Sequence, residues 1–144
     1  DQDAYPQRRP RKALPLRRVC MLMVLREDRD EVLLEQRPPA GIWGGLWSFP
    51  ELDPDADARA WIERRLGAEV RSQRQWGELR HTFTHFQLDI QPLLLQVSAP
   101  AGKRVLESDR YVWYNVADLP EIGLAAPEEK LLRALADPAA RTAS

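Results

Sequence analysis

The first two apolar segments of the chain predict a β-hairpin whose opening strand is buried on both faces. Residues 19–25 are apolar at every position, which is typical of a central strand in a layered sheet. Residues 31–37 form a second strand-like segment, and the polar stretch 27–30 between the two has the composition of a turn. The fold is therefore expected to start near Arg18, with Cys20 as a small buried thiol.

Two later segments have the spacing of amphipathic helices. In the first, Asp55 or Asp57 is suited to cap a helix that ends at Gly67. The apolar residues on one face of this helix are Ala58, Trp61, Ile62 and Leu66. The second helix opens at Pro127, has two acids in its first turn and ends before Pro138. Its inward face is predicted to consist of Leu131, Leu132 and Leu135.

Further strands are predicted over residues 75–80, 86–97 and 111–114. Pro92 falls inside the second of these. Because proline cannot donate a hydrogen bond to a sheet, it predicts an edge position or a bulge. Strands and helices in this order predict the fold class α/β (α+β), with a mixed β-sheet sandwiched between helices in a single domain.

Composition fits one folded domain with short irregular ends. The chain has 144 residues, of which 44% are hydrophobic and 30% charged, so a substantial core is expected. We predict a basic, Pro-rich linker at 1–17, the domain at 18–137 and a frayed tail at 138–144. The single cysteine excludes an internal disulfide, and no apolar run reaches the ~18 residues of a membrane span. A reducing, soluble compartment is expected.

Positive charge is concentrated at the start of the chain. The net charge is −1, so any attraction to nucleic acid must come from a local patch. Residues 6–18 contain no acid, and their prolines keep the segment extended. Two interpretations stay open: a solvated linker, or an arm that contacts DNA phosphates through Arg8, Arg9, Arg11 and Lys12.

Residues 45–67 resemble the Nudix box, in which a glycine, a glutamate and a glutamate-rich helix hold divalent metal against a diphosphate. The matching positions are Gly45, Glu51, Arg59, Trp61 and Glu63. Ala60 and Arg64 stand where two of the helical glutamates belong. Hard cations need several converging carboxylate oxygens, and Arg64 would place a positive charge beside the metal. We therefore predict a Nudix fold with no catalytic residues and no metal site, and interpret Glu51 and Glu63 as surface acids or ion-pair partners.

Three separated segments resemble the C-terminal domain of bacterial MutY-type adenine DNA glycosylases. They are LLEQRPPAGIWGGLWSFP at 33–50, HTFTHF at 81–86 and GLAAP at 123–127. The resemblance extends from about Tyr5 to Ala136. In that family, the domain confers preference for adenine mispaired with 8-oxoguanine, while a separate N-terminal helical domain excises the adenine. The resemblance thus implies a lesion-recognition domain for DNA repair that is itself no enzyme, detached from its catalytic domain.

The family's damage-sensing Phe-Ser-His sequence maps onto Phe83, Thr84 and His85. 8-Oxoguanine carries a hydrogen at N7, where guanine has an acceptor, and an extra oxygen at C8. A hydroxyl such as that of Thr84 accepts from N7–H, and it discriminates only if its orientation is fixed. Phe83 is expected to wedge beside the base, and His85 to donate to a phosphate or brace the loop. The pattern alone favours packing or bystander roles for all three, and the resemblance reverses that preference.

The five tryptophans have two predicted roles. Trp43 and Trp47 flank the glycine-containing loop, where stacking on a base and simple packing are both open. Trp61 lies on the apolar face of the predicted first helix, so we expect it to be structural. Trp76 and Trp113 are expected in the core, because most aromatic residues in strands are packing residues.

The resemblance also implies partners and compartment. The partners are duplex DNA containing 8-oxoguanine paired with adenine and the N-terminal glycosylase domain of the same protein. No membrane partner is expected, the state is monomeric, and the compartment is the bacterial cytoplasm, in association with the nucleoid. No cofactor is expected in this chain, because one cysteine cannot hold a four-cysteine cluster. The iron–sulfur cluster is implied for the missing catalytic domain.

Two other functions stay open at this point. One is an active Nudix hydrolase of an oxidised nucleoside triphosphate, with Glu51 and Glu63 sharing the metal. The other is a protein-binding scaffold that uses the apolar loop or the helix at 127–136.

Overall fold

The structure is a computed structural model that describes residues 14–26, 28–41, 43–98, 110–117 and 123–141. Its strands are β1 (Leu16–Arg26), β2 (Glu31–Gln36), β3 (Trp47–Ser48), β4 (Glu51–Leu52), β5 (Val70–Gln75), β6 (Leu79–Thr82), β7 (Gln87–Val97) and β8 (Tyr111–Asn115). Its helices are α1 (Ala58–Leu66), α2 (Ala126–Leu135) and a final 3-10 turn (Pro138–Arg141). No helix within these ranges is long and apolar enough to cross a membrane.

Strand β1 is the centre of the sheet. It pairs in parallel with β7 along its whole length, from Leu16 opposite Gln87 to Arg26 opposite Val97. Its other side is shared by β2 and β4, both antiparallel. Strand β7 also pairs with β5 and β6, and β2 with β3 and β8, so the described strands form one mixed sheet of eight.

Alternating side chains of β1 serve two cores, one on each face of the sheet. Met21, Met23 and Leu25 share a core with the α2 residues Leu131, Leu132 and Leu135. Cys20, Leu22 and Val24 share the other with the α1 residues Ala58, Ile62 and Leu66. The predicted sheet between helices is therefore confirmed, as is the burial of Cys20.

Helix boundaries follow the predicted capping chemistry. The Asp57 carboxylate accepts a hydrogen bond from the Ala60 backbone N–H at 3.0 Å and so caps α1. Gly67 ends this helix with a φ of 63°, a left-handed conformation that glycine adopts without steric cost. Helix α2 begins at Ala126, one residue before Pro127.

Pro92 is not at an edge, because β7 has partner strands on both sides, but the pairing on one side is interrupted opposite it. The predicted strand 75–80 is wrong: residues 76–78 lie in no strand, β5 ends at Gln75 opposite Leu93, and β6 begins at Leu79 opposite Ile90. The Pro92 carbonyl accepts from the Trp76 N–H at 3.0 Å, on the side where β5 ends. In a strand, the N–H and C=O of one residue point to the same side. The missing N–H of Pro92 therefore faces the break between β5 and β6.

Regular structure extends a few residues into both the predicted linker and the predicted tail. Strand β1 begins at Leu16, inside the predicted linker 1–17, because the Pro15 carbonyl already accepts from the Gln87 N–H at 2.8 Å. Residues 138–141 are helical rather than frayed. Arg141 holds them by donating to the Leu135 carbonyl at 3.0 Å and pairing with Asp30 at 2.8 Å. The Pro15–Gln87 and Arg141–Asp30 contacts join residues far apart in sequence, and local composition does not reveal them.

Candidate nucleic-acid interface

The turn between β6 and β7 presents two polar side chains to solvent. It is closed by the Phe83 N–H, which donates to the Phe86 carbonyl at 2.8 Å. Thr84 and His85 lie at its tip and are exposed, while Phe83 is half-buried. The three residues predicted to read the lesion are thus together on one tight turn, with a hydroxyl and an imidazole facing outward.

Four aromatic rings pack together at this turn, and we call them the aromatic cluster: Trp43, His81, Phe83 and Phe86. Phe83 stacks on Phe86 with ring centroids 4.4 Å apart and an interplanar angle of 18°. Phe83 also lies 4.6 Å from the His81 ring and 5.2 Å from the Trp43 ring. Phe83 therefore packs against its neighbours, and because it is half-buried, part of its ring stays on the surface.

A cation from the first strand completes this surface. The guanidinium carbon of Arg17 lies 4.7 Å from the centroid of the Phe86 ring, a cation–π distance, and the residue is exposed. Arg17 reaches the turn because β1 and β7 run in parallel, with Leu16 opposite Gln87. The sequence shows Arg17 in a basic stretch but gives no signal for this pairing, so its place at the turn is a finding of the structure.

Trp43 reaches the cluster from a tightly folded loop. Its φ is 51°, in the left-handed region that bulky side chains rarely adopt. At the following Gly44, a Cβ would lie 2.2 Å from the Pro39 carbonyl oxygen, so only glycine fits there. The Leu46 N–H donates to the Trp43 carbonyl at 3.0 Å, and the Gly45 N–H to that of Pro38 at 3.0 Å. The loop backbone thus fixes where the indole points.

A cleft of about 210 Å³ adjoins the cluster through His81. It is lined by Leu79, Arg80, His81, Ile90, Ala126, Pro127 and Lys130. Arg80 pairs with Asp89 through two contacts of 2.6 and 2.9 Å, and these hydrogen bonds hold the pKa of Asp89 below its usual value. The cleft therefore combines an apolar floor with basic side chains on its rim.

The Nudix-box positions do not converge on one point. Glu51 pairs with Arg37 at 2.7 Å, and burial raises its pKa while Arg37 opposes the rise. Arg59 donates to the Val70 carbonyl at 3.3 Å, and Glu63 on α1 is exposed. Within the described ranges, no three His, Cys, Asp or Glu side chains lie close enough together to hold a metal ion. These donors do not fit the divalent metal that the Nudix resemblance implies.

A buried acid that the sequence did not indicate lies near Glu51. Glu128, expected only as a first-turn acid of the second helix, is fully buried. Neither of its carboxyl oxygens accepts a hydrogen bond from another described residue. Burial raises the pKa of Glu128 to about 8, and the charge of nearby Glu51 adds to the rise. The Glu128 carboxyl is therefore mainly protonated at neutral pH.

The proposed phosphate contacts in the basic stretch are not placed by the structure. Arg8, Arg9, Arg11 and Lys12 lie outside the described residues. Trp61, Trp76 and Trp113, predicted as structural or core residues, are half-buried against the two cores.

A mixed sheet between two helices, with Nudix-box positions on β4 and α1, defines a protein of the Nudix class. Residues 20–134 match the family model described as the NUDIX domain, so the chain belongs to the NUDIX domain family. The C-terminal domain of mouse MUTYH, solved in complex with human PCNA, has a TM-score of 0.62 to this structure at 23% identity. This match covers 81% of our chain and 84% of that one. The E. coli ORF135 protein has a TM-score of 0.59 at 21% identity, covering 91% and 96%.

The relatives found by sequence are adenine DNA glycosylases. An adenine DNA glycosylase of Buchnera aphidicola subsp. Acyrthosiphon pisum is 24% identical over 130 residues, which are 90% of this chain and 36% of that protein. An adenine DNA glycosylase of Arabidopsis thaliana is 26% identical over 140 residues, covering 78% of this chain and 22% of that protein. The predicted resemblance to MutY-type glycosylases is thereby confirmed, and the chain spans about a third or less of these relatives.

Proposed function

We propose that this chain is the lesion-recognition domain of a MutY-type adenine DNA glycosylase, and that it reads 8-oxoguanine opposite adenine in duplex DNA. The observation that carries the proposal is the turn at 83–86. In this turn Thr84 and His85 are exposed to solvent, and the rings of Phe83 and Phe86 stack beside them. The similarity to adenine DNA glycosylases over 90% of the chain supports the same function.

The turn has the chemistry that the lesion requires. The Thr84 hydroxyl accepts the N7–H that guanine lacks, while a neighbouring donor meets the oxygen at C8. Exposed aromatic surface at Phe83 and Phe86 is suited to lie against a base step, as apolar wedges do in bent duplexes. His85 at the tip and Arg17 beside Phe86 are placed to contact phosphates on either side.

Adenine excision is proposed for another part of the same protein. The chain corresponds to 36% of the Buchnera relative, which leaves room there for a glycosylase domain with its iron–sulfur cluster. That domain is the proposed covalent partner, and no cofactor is proposed for this chain. Nudix hydrolysis receives less support, because Glu51 is paired with Arg37 and, among the described residues, no group of three His, Cys, Asp or Glu side chains is placed to hold a metal ion.

The test is binding to two duplexes that differ only in having 8-oxoguanine or guanine opposite adenine, each at two salt concentrations. We expect tighter binding to the damaged duplex, persisting at the higher salt, because the discriminating hydrogen bond is not a phosphate contact. Thr84→Ala should lower the preference by about tenfold, the value of one well-made hydrogen bond, whereas Thr84→Ser should retain it.

Thr82→Ala is the matched control, since Thr82 is also exposed and lies two residues earlier, in β6. Its preference for the damaged duplex should equal that of the wild type. Equal affinity of the wild type for both duplexes at both salt concentrations would overturn the proposal.

A further inference from the structure

Trp43 contacts the lesion-reading turn from a distant part of the chain. Its ring centroid lies 5.2 Å from that of Phe83 and 5.4 Å from that of His81. His81 and Phe83 flank Thr82, and Phe83 immediately precedes Thr84 along the chain. The indole therefore contacts the residues on either side of Thr82, where β6 ends and the turn begins.

The conformation of Trp43 is costly, and that cost needs an explanation. A non-glycine residue at φ 51° is disfavoured by roughly 1–2 kcal/mol, and such residues cluster at functional sites. Simple core packing does not require it, because Trp43 is only half-buried. The close approach of Gly44 to the Pro39 carbonyl keeps the loop in the shape that directs the indole towards Phe83.

We propose that Trp43 is a positioning residue for lesion reading: it holds the Phe83 and His81 rings so that the turn presents Thr84 in a single orientation. The inference rests on the proposed function of the turn. A hydroxyl both donates and accepts, so Thr84 distinguishes N7–H from a bare N7 only when the orientation of its hydroxyl is fixed, which requires that the turn carrying it is held in place. Phe83 directly precedes Thr84, and the Phe83 N–H closes the turn. Holding the Phe83 ring in place therefore restricts the position of Thr84, the residue proposed to contact the lesion.

The test compares the ratio of affinities for the damaged and undamaged duplexes among Trp43 variants. Trp43→Leu, which keeps apolar volume but removes the ring, should reduce this ratio by about two- to tenfold, the value of aromatic ring contacts. Affinity for the undamaged duplex should change by less than twofold, and Trp43→Phe should restore the ratio. Loss of the indole should also shift the NMR signals of the His81 ring protons.

Trp61→Leu is the control, because Trp61 is a half-buried tryptophan on α1 that packs against the other core. It should leave the ratio and the His81 signals unchanged, although it too removes an indole. If the wild type prefers the damaged duplex and Trp43→Leu preserves that preference, positioning by Trp43 is overturned while the proposed function stands. If the wild type shows no preference, the proposed function itself fails, and this inference fails with it.

Discussion

Helix α1 and the turn at 83–86 differ in how their charged and aromatic side chains are arranged within one Nudix fold. On α1, the acids of the Nudix box are reduced to Glu63, and Glu51 on the neighbouring β4 is engaged by Arg37 at 2.7 Å. At the turn, rings from two distant segments and a cation from a third come together around an exposed hydroxyl. The comparison contrasts a helix that carries few of the Nudix-box acids with a sheet edge that gathers the rings and the cation of the proposed recognition surface.

Among the acids near the Nudix-box positions, Glu128 provides the largest expected effect. Glu128 keeps its proton in the folded state up to a pKa of about 8, whereas in the unfolded chain it ionises near 4.5. Between these values, unfolding releases a proton, so the free energy of unfolding falls as pH rises through this window. The full contribution is present below pH 4.5 and is lost by about pH 8. The loss is roughly 5 kcal/mol at most.

Urea unfolding of the wild type and Glu128→Gln between pH 5 and about 8 measures this contribution. The wild type should lose stability relative to the variant across the series, because glutamine does not titrate. Glu129→Gln is the control, since Glu129 is partly exposed and pairs with Arg133 at 3.1 Å. A constant difference between the wild type and Glu128→Gln at every pH would show that Glu128 does not hold its proton in the folded state.

Substitutions of Glu51 and Glu63 should differ in their effect on the free energy of unfolding rather than in their effect on catalysis. Glu51→Gln removes the ionised group that lies 2.7 Å from the Arg37 guanidinium, whose side chain is 20% exposed. We expect the free energy of unfolding to fall by about 1–3 kcal/mol. Glu63→Gln changes an exposed residue and should stay within about 0.5 kcal/mol of the wild type. Metal-dependent pyrophosphate release that is lost in Glu63→Gln would break the comparison, because α1 would then retain Nudix chemistry.

The smallest effect is expected at Arg17. If Arg17 contacts one phosphate, Arg17→Ala should weaken binding to both duplexes equally and reduce the salt slope of log K by about 0.9. Arg18, the next residue of β1, points to the opposite side of the strand and also is exposed, so Arg18→Ala is the matched control. A change in the preference for the damaged duplex, instead of in the salt slope, would assign Arg17 to base reading.

How far the sequence predicts this molecule depends on how local each contact is. The strands around residues 19–37, the Asp57 cap and the Gly67 end of α1 follow from short-range pattern and are confirmed. The Phe83, Thr84 and His85 positions came from resemblance. The aromatic cluster could not be predicted, because Trp43 and Phe83 meet only after the sheet has formed. The burial of Glu128 was missed for a similar reason, since a helical pattern does not show where the acid packs.

The parallel pairing of β1 with β7 has a further consequence for how the domain meets DNA. The Pro15 carbonyl accepts from the Gln87 N–H directly after the turn, so β1 starts at the edge of the sheet that carries the turn at 83–86. If a glycosylase domain is joined ahead of Pro15, as proposed, it is tethered next to the turn rather than across the molecule. Once such a domain binds a duplex, contact between the turn and the same DNA becomes intramolecular. The tether then raises the effective concentration of DNA at the turn, to the order of millimolar for short linkers. For the proposed two-domain protein, a modest intrinsic affinity at Thr84 would then be sufficient to inspect a base.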